Sequence, residues 1–93
     1  MKTVSILGRR WKLLYADLRV NDGDCDQPKE PHKTIRIAKR LLRQPSTRLE
    51  TLIHEGLHAG LPDLKEETVE TLACDLARLI RGEGYKLKEE FSV

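Results

Sequence analysis

Between residues 6 and 20 the side chains alternate along the chain. Trp11, Leu13 and Tyr15 fall on one face, and Lys12, Leu14 and Ala16 on the other. A period of two with aromatic enrichment predicts a β-strand, and Gly8 marks a bulge or bend within it. Asn21-Asp22-Gly23-Asp24 reads as a turn, and Pro28 and Pro31 keep the following segment irregular. A second strand is expected over residues 33–38. Ile35 and Ile37 share one of its faces with Lys33, while Thr34, Arg36 and Ala38 take the other. The long connection leaves room for the two strands to pair antiparallel.

Beyond Pro45 the period changes to that of a helix. Thr47 followed by Glu50 forms a capping box, so a helix should open near Ser46 or Thr47. Leu49, Leu52, Ile53, Gly56 and Leu57 recur at helical spacing and define its expected buried stripe. Gly60 and Pro62 stop it. Asp63 and Glu66 repeat the capping pattern for a second helix, whose apolar face carries Val69, Leu72, Ala73, Leu76, Leu79 and Ile80 until Gly82 and Gly84 end it. Residues 85–93 form a charged tail bearing Phe91, expected as a short strand or frayed end. The expected fold class is α+β: a small antiparallel or mixed sheet packed on two consecutive helices.

Length and composition narrow the class. Ninety-three residues suffice for one domain with one modest core, so residues 1–93 are expected to form a single unit. A hydrophobic fraction of 39% and a charged fraction of 34% describe a globular chain rather than a disordered or membrane-embedded one. No stretch approaches membrane-spanning length, and the N-terminus lacks a signal peptide's apolar core and cleavage site. A cytoplasmic location follows as the expectation, with no membrane partner. In that compartment Cys25 and Cys74 are expected as free thiols.

The candidate chemistry lies inside the first helix. His54-Glu55-Gly56-Leu57-His58 is an H-E-x-x-H motif. Residues four apart share a helix face, so both imidazoles can reach one metal ion with Glu55 beside a water bound there. At ~100° per residue, His54 and His58 lie roughly opposite the Leu49/Leu52/Ile53/Gly56 stripe. Their face also carries Thr51 and Glu55, and the next helix can fold back to complete a site against it. Its start offers Glu66, Glu67 and Glu70. Glu67 points to solvent. Glu66 and Glu70 share an edge with Ala73 and Ala77, whose small side chains allow the helices to approach. With Glu66 engaged in capping, Glu70 is the expected third ligand, Glu66 standing in reserve. Two imidazoles and a carboxylate suit a zinc ion with one position left for water, and Glu55 suits the general base.

These residues resemble the gluzincin-type zinc metallopeptidases, especially very small, often phage- or prophage-associated, minigluzincin-like proteins. The resemblance rests on Lys33-Thr34-Ile35-Arg36-Ile37, on Leu52-Ile53-His54-Glu55-Gly56-Leu57-His58-Ala59, and on Glu70-Thr71-Leu72-Ala73. It covers roughly residues 6–85, and its H-E-x-x-H core is the specific part. It implies a minimal zincin-like metal-binding domain in which His54, His58 and Glu70 bind zinc, Glu70 opening an E-x-x-A pattern with Ala73. It also implies that Glu55 acts as acid/base in hydrolysis of a peptide or protein substrate, with Ile35 and Ile37 on the edge strand above the helix. Where such families place Asp or Asn after the alanine, this chain has Cys74, with Asp75 one residue on.

Other residues offer rival roles. Cys25 is an alternative third ligand of the kind seen in deformylase-like sites. His32 and Tyr85 read as a surface histidine and a packed aromatic, with stabilisation of a reacting oxyanion as the rival reading. Arg9, Arg10, Lys12, Arg36, Lys39, Arg40 and Arg43 suggest a basic sheet face. The small net charge of +2 and the lack of interleaved aromatics weigh against nucleic acid as its partner. The rival to a peptidase is therefore a non-catalytic, zinc-stabilised binding or regulatory module of phage origin, using that basic face if it contacts nucleic acid.

Overall fold

The computed structural model describes residues 2–89. Four strands, β1 (Lys2–Ile6), β2 (Arg9–Ala16), β3 (Gly23–Cys25) and β4 (Thr34–Ala38), form one sheet in the order β1-β2-β4-β3. A short 3₁₀ helix, Lys39–Arg43, leads into α1 (Pro45–Gly60), and α2 (Glu66–Gly82) follows. The fold is α+β with a mixed sheet, as the alternating and helical periods predict.

The expected single strand over residues 6–20 is shorter, Arg9–Ala16, and is the second arm of a hairpin whose first arm is β1. Leu7 and Gly8, at φ 49° and 76°, turn the chain between β1 and β2, which pair antiparallel with Val4 opposite Trp11. Two consecutive positive φ values are what a two-residue turn needs to match the strands' twist. Val4, Trp11, Leu13 and Tyr15 face the core, and Trp11 is wholly buried.

The expected antiparallel pairing of β2 with β4 is corrected. They run parallel, with Leu13 opposite Ile35 and Tyr15 opposite Ile37. The long connection between them contains a third strand that the turn residues concealed. β3 pairs antiparallel with β4, Gly23 opposite Ile37 and Cys25 opposite Ile35. Thus β4 lies inside the sheet, and β3, rather than the strand with Ile35 and Ile37, is an edge. Burial agrees: Thr34, Ile35, Ile37 and Ala38 are all buried, as in a strand covered on both faces.

α1 lies across the sheet, and α2 packs along α1. Neither expected capping box forms. Pro45 occupies the first helical turn, where its missing N–H costs nothing, and neither Gln44 nor Lys65 makes a side-chain cap. The expected apolar stripe of α1 is also corrected. Its most buried residues are Arg48, Thr51, Glu55 and Ala59, whereas Leu49, Leu52, Ile53 and Leu57 are half-buried. A helix enclosed by a sheet and a second helix has more than one inner face, so its apolar residues need not mark the deepest one. On α2 the buried line is Val69, Ala73 and Ala77, whose short side chains suit close helix packing. Leu79 is 63% exposed. Residues 85–89 carry no regular element, and the end of the tail, with Phe91, lies outside the described residues. Among the described residues no helix is long and apolar enough to cross a membrane.

Candidate metal centre

His54 and His58 project from successive turns of α1 with their Nε2 atoms 3.2 Å apart and their rings edge to face. Gly60, Leu61 and Pro62 end α1, and the chain reverses so that the first turn of α2 returns to these imidazoles. Glu66, the first residue of α2, presents one carboxylate oxygen to each ring. Oε1 lies 2.9 Å from His54 Nε2, and Oε2 lies 2.7 Å from His58 Nε2. The imidazoles are about one-fifth exposed, whereas Glu66 is 64% exposed.

One ligand atom from each of His54, His58 and Glu66 lies within 4.8 Å of the others, a group that could hold a metal ion. Two neutral imidazole nitrogens and one carboxylate oxygen form a coherent set of donors for a divalent ion. Donors around a tetrahedral ion with ~2.1 Å bonds stand about 3.4 Å apart, so small side-chain shifts would admit one.

The carboxylate brought onto the imidazoles is Glu66 rather than the expected Glu70. Glu70 sits one turn further along α2, exposed, and lines the neighbouring cleft with His54 and Glu66. Glu66 makes no cap at the start of α2, which leaves its side chain for the histidines. Glu67 is exposed as expected, and Asp75 faces Arg78 on the outer side of α2, away from the imidazoles.

Glu55 is 6% exposed, beneath β3. Burial pushes its carboxyl up to about 7, helped by the negative charges of Asp24 and Glu66 and opposed by His58 and a side-chain hydrogen bond with Cys25. The Cys25 thiol is pushed up to about 12, chiefly by burial and then by Glu55, so it remains a thiol. Cys25 is not among the three clustered donors. Both cysteines are free.

Strand β3 lies above α1. In Asp22-Gly23-Asp24-Cys25-Asp26, Gly23 packs against Thr51 and Glu55 of α1, and the aspartates stand at the rims of the two lobes beside the histidines. Arg36 reaches Asp24 at 2.7 Å and Asp26 at 2.9 Å, and Arg40 pairs with Asp22 at 2.5 Å. The expected basic sheet face is thereby interrupted, because two of its arginines neutralise this acidic segment. Sequence reasoning missed these partners, although charges two apart on one strand opposite an arginine-bearing strand are a signal.

Two open lobes flank the histidines. One, of about 350 Å³, runs toward Thr47, Glu50 and Glu70. The other, of about 340 Å³, runs under Cys25 and Gln27 toward Pro62. His32 and Tyr85 lie exposed and line neither lobe. No protein-family model, curated protein or solved structure matches this chain. Its function is therefore read from the chemistry of the site itself.

Proposed function

We propose that the chain is a minimal zinc-dependent metallopeptidase, a zincin-like domain of gluzincin type. The observation that carries this reading is the convergence of both H-E-x-x-H imidazoles on a single carboxylate from the following helix. His54, His58 and Glu66 would hold the ion. When bound, zinc supplies Lewis acidity that makes water nucleophilic near neutral pH and favours negative charge on a carbonyl oxygen.

The protein's own groups account for the rest of the hydrolysis. Glu55, next to His54 and buried beside β3, takes a proton from the attacking water at its carboxylate. The water oxygen bonds to the peptide carbon, the carbon–nitrogen bond breaks, and Glu55 returns the proton to the leaving amine. A carboxylate at this position can both accept that proton and return it. The outer edge of β3, unpaired among the described residues, offers backbone groups to an extended peptide. Zinc-loaded protein incubated with a mixed peptide library should give chelator-sensitive cleavage. Glu55→Gln should keep its zinc and lose cleavage by about 10²–10⁴-fold. Cleavage that survives this change would refute the mechanism.

A second reading, a metal-stabilised binding module without turnover, is favoured by the depth of Glu55, 6% exposed beneath β3, which limits the access of a substrate to the base. On that reading a chelator lowers the melting temperature, while no peptide in the library is cut. The pairing of Arg36 and Arg40 with aspartates weighs against a nucleic-acid role for the sheet face.

A further inference from the structure

Glu50 and Glu70 occupy equivalent steps beside the metal centre. Glu50 precedes His54 by one turn of α1, and Glu70 follows Glu66 by one turn of α2. The helices run in opposite senses, so the two carboxylates form the next rung of the same cleft and line one lobe of about 350 Å³. That lobe also contains Glu55, Glu66 and Asp22, the last paired with Arg40, and no lysine or arginine lines it. The contrast with the whole chain is sharp, since Lys and Arg outnumber Asp and Glu by 17 to 15.

Asp22, Asp24 and Asp26, in and beside β3, have arginine partners in Arg40 and Arg36. Glu50 and Glu70 have no ion-pair partner among the described residues. Independently, Thr51 lines the same lobe, is 8% exposed, and its hydroxyl has no hydrogen-bond partner among the described residues. Two carboxylates without ion-pair partners, with the hydroxyl of the largely buried Thr51 beside the same opening, suit a donor-rich, positively charged ligand.

We propose that this lobe is a specificity pocket for a cationic side chain, lysine or arginine, of the peptide whose bond lies at the metal centre. The proposal rests on the peptidase reading and names its substrate class. An ammonium or guanidinium carries several N–H donors and no acceptor, matching a lining of acceptors. Glu50 and Glu70 give it opposite charge from two sides, and Thr51 accepts from it at the lobe's floor. The other lobe, flanked by aspartates already paired with Arg36, exerts a weaker pull on charge.

The test uses the full zinc-loaded chain and N-acetylated peptides that differ only in Lys, Arg, norleucine or Glu at one position. Lys and Arg peptides should be cut with kcat/KM about tenfold or more above norleucine, mainly through KM, and Glu peptides least. Glu50→Gln and Glu70→Gln should each bring the Lys-to-norleucine ratio toward one with zinc content kept at one per chain. Peptide binding to Glu55→Gln, followed by isothermal titration, reads the same preference without turnover. Cleavage indifferent to charge overturns the pocket and leaves the peptidase intact. No cleavage, but tighter binding of Lys peptides to Glu55→Gln, supports the pocket and refutes the peptidase. A preference seen only with free N-termini assigns the lobe to the terminal ammonium and overturns the side-chain assignment. A second zinc equivalent lost in Glu50→Gln, or the first lost in Glu70→Gln, also overturns it.

Discussion

Gly23 of β3 lies against Glu55 of α1 so closely that a Cβ built on it would stand 3.1 Å from Glu55 Cγ. It would also stand 3.0 Å from Thr51 Cγ2 and from the Arg36 carbonyl oxygen. The absence of a side chain at this position sets the height of the edge strand over the helix. Gly23→Ala should therefore lift β3 and disturb the packing of Glu55. The expected cost is about 1–3 kcal/mol, the range for overfilling a packed site, readable by denaturant unfolding. The backbone oxygen cannot swing aside as a flexible side chain would, so an unchanged midpoint would contradict the close approach.

The identity of the third ligand is open to direct measurement. Glu66 touches both imidazoles, whereas Glu70 lines the adjoining lobe. Glu66→Gln should weaken zinc binding by about a hundredfold or more in competition with a chromogenic chelator, whereas Glu70→Gln should stay within about tenfold. The reverse order would return the role to Glu70. Glu66 is largely exposed, so its replacement should affect folding little in metal-free protein.

The contrast between these glutamates shows what the chain discloses by its spacing alone. An i, i+4 pair on a well-delimited helix fixes His54 and His58 on one face without any tertiary information. The third donor depends on where α2 begins, and the backbone does not use the capping pattern that Asp63 and Glu66 offer. The sheet divides in the same manner. Alternation marks residues 33–38 as a strand and sets Trp11, Leu13 and Tyr15 on one face, which the structure turns into the core. Yet β3 was hidden because Asn21-Asp22-Gly23-Asp24 carries turn residues for two other reasons. Gly23 admits the close contact with α1, and the aspartates pair with Arg36 and Arg40 on neighbouring chain segments. Long-range partners of this sort leave only a faint local trace.

Leu7 occupies the left-handed region at φ 49° and is 76% exposed, so its side chain contributes little burial while its backbone is strained. Asparagine tolerates this conformation far better, and Asn-Gly is a favoured pair for a two-residue hairpin turn. Leu7→Asn should stabilise the protein by about 0.5–1 kcal/mol, raising the melting temperature by several degrees in a domain of this size. A fall instead would mean that the Leu7 contact near Gly60 outweighs the turn strain.

The raised carboxyl of Glu55 has a consequence for the stability of metal-free protein. Its value in the fold, about 7, exceeds the ordinary 4.5, chiefly through burial. The fold therefore binds this proton more tightly than the unfolded chain does. Its favourable contribution is fully present below pH 4.5 and is lost as pH rises toward 7, after which it changes no further. Glutamine keeps the shape and cannot ionise. With zinc removed, the melting temperature of Glu55→Gln should match that of the unaltered protein near pH 4.5 and exceed it by several degrees at pH 8. The gap should open between those values. Parallel curves across that interval would show that Glu55 ionises in the fold without penalty, and that its enclosure by β3 is looser than the contacts of Gly23 imply.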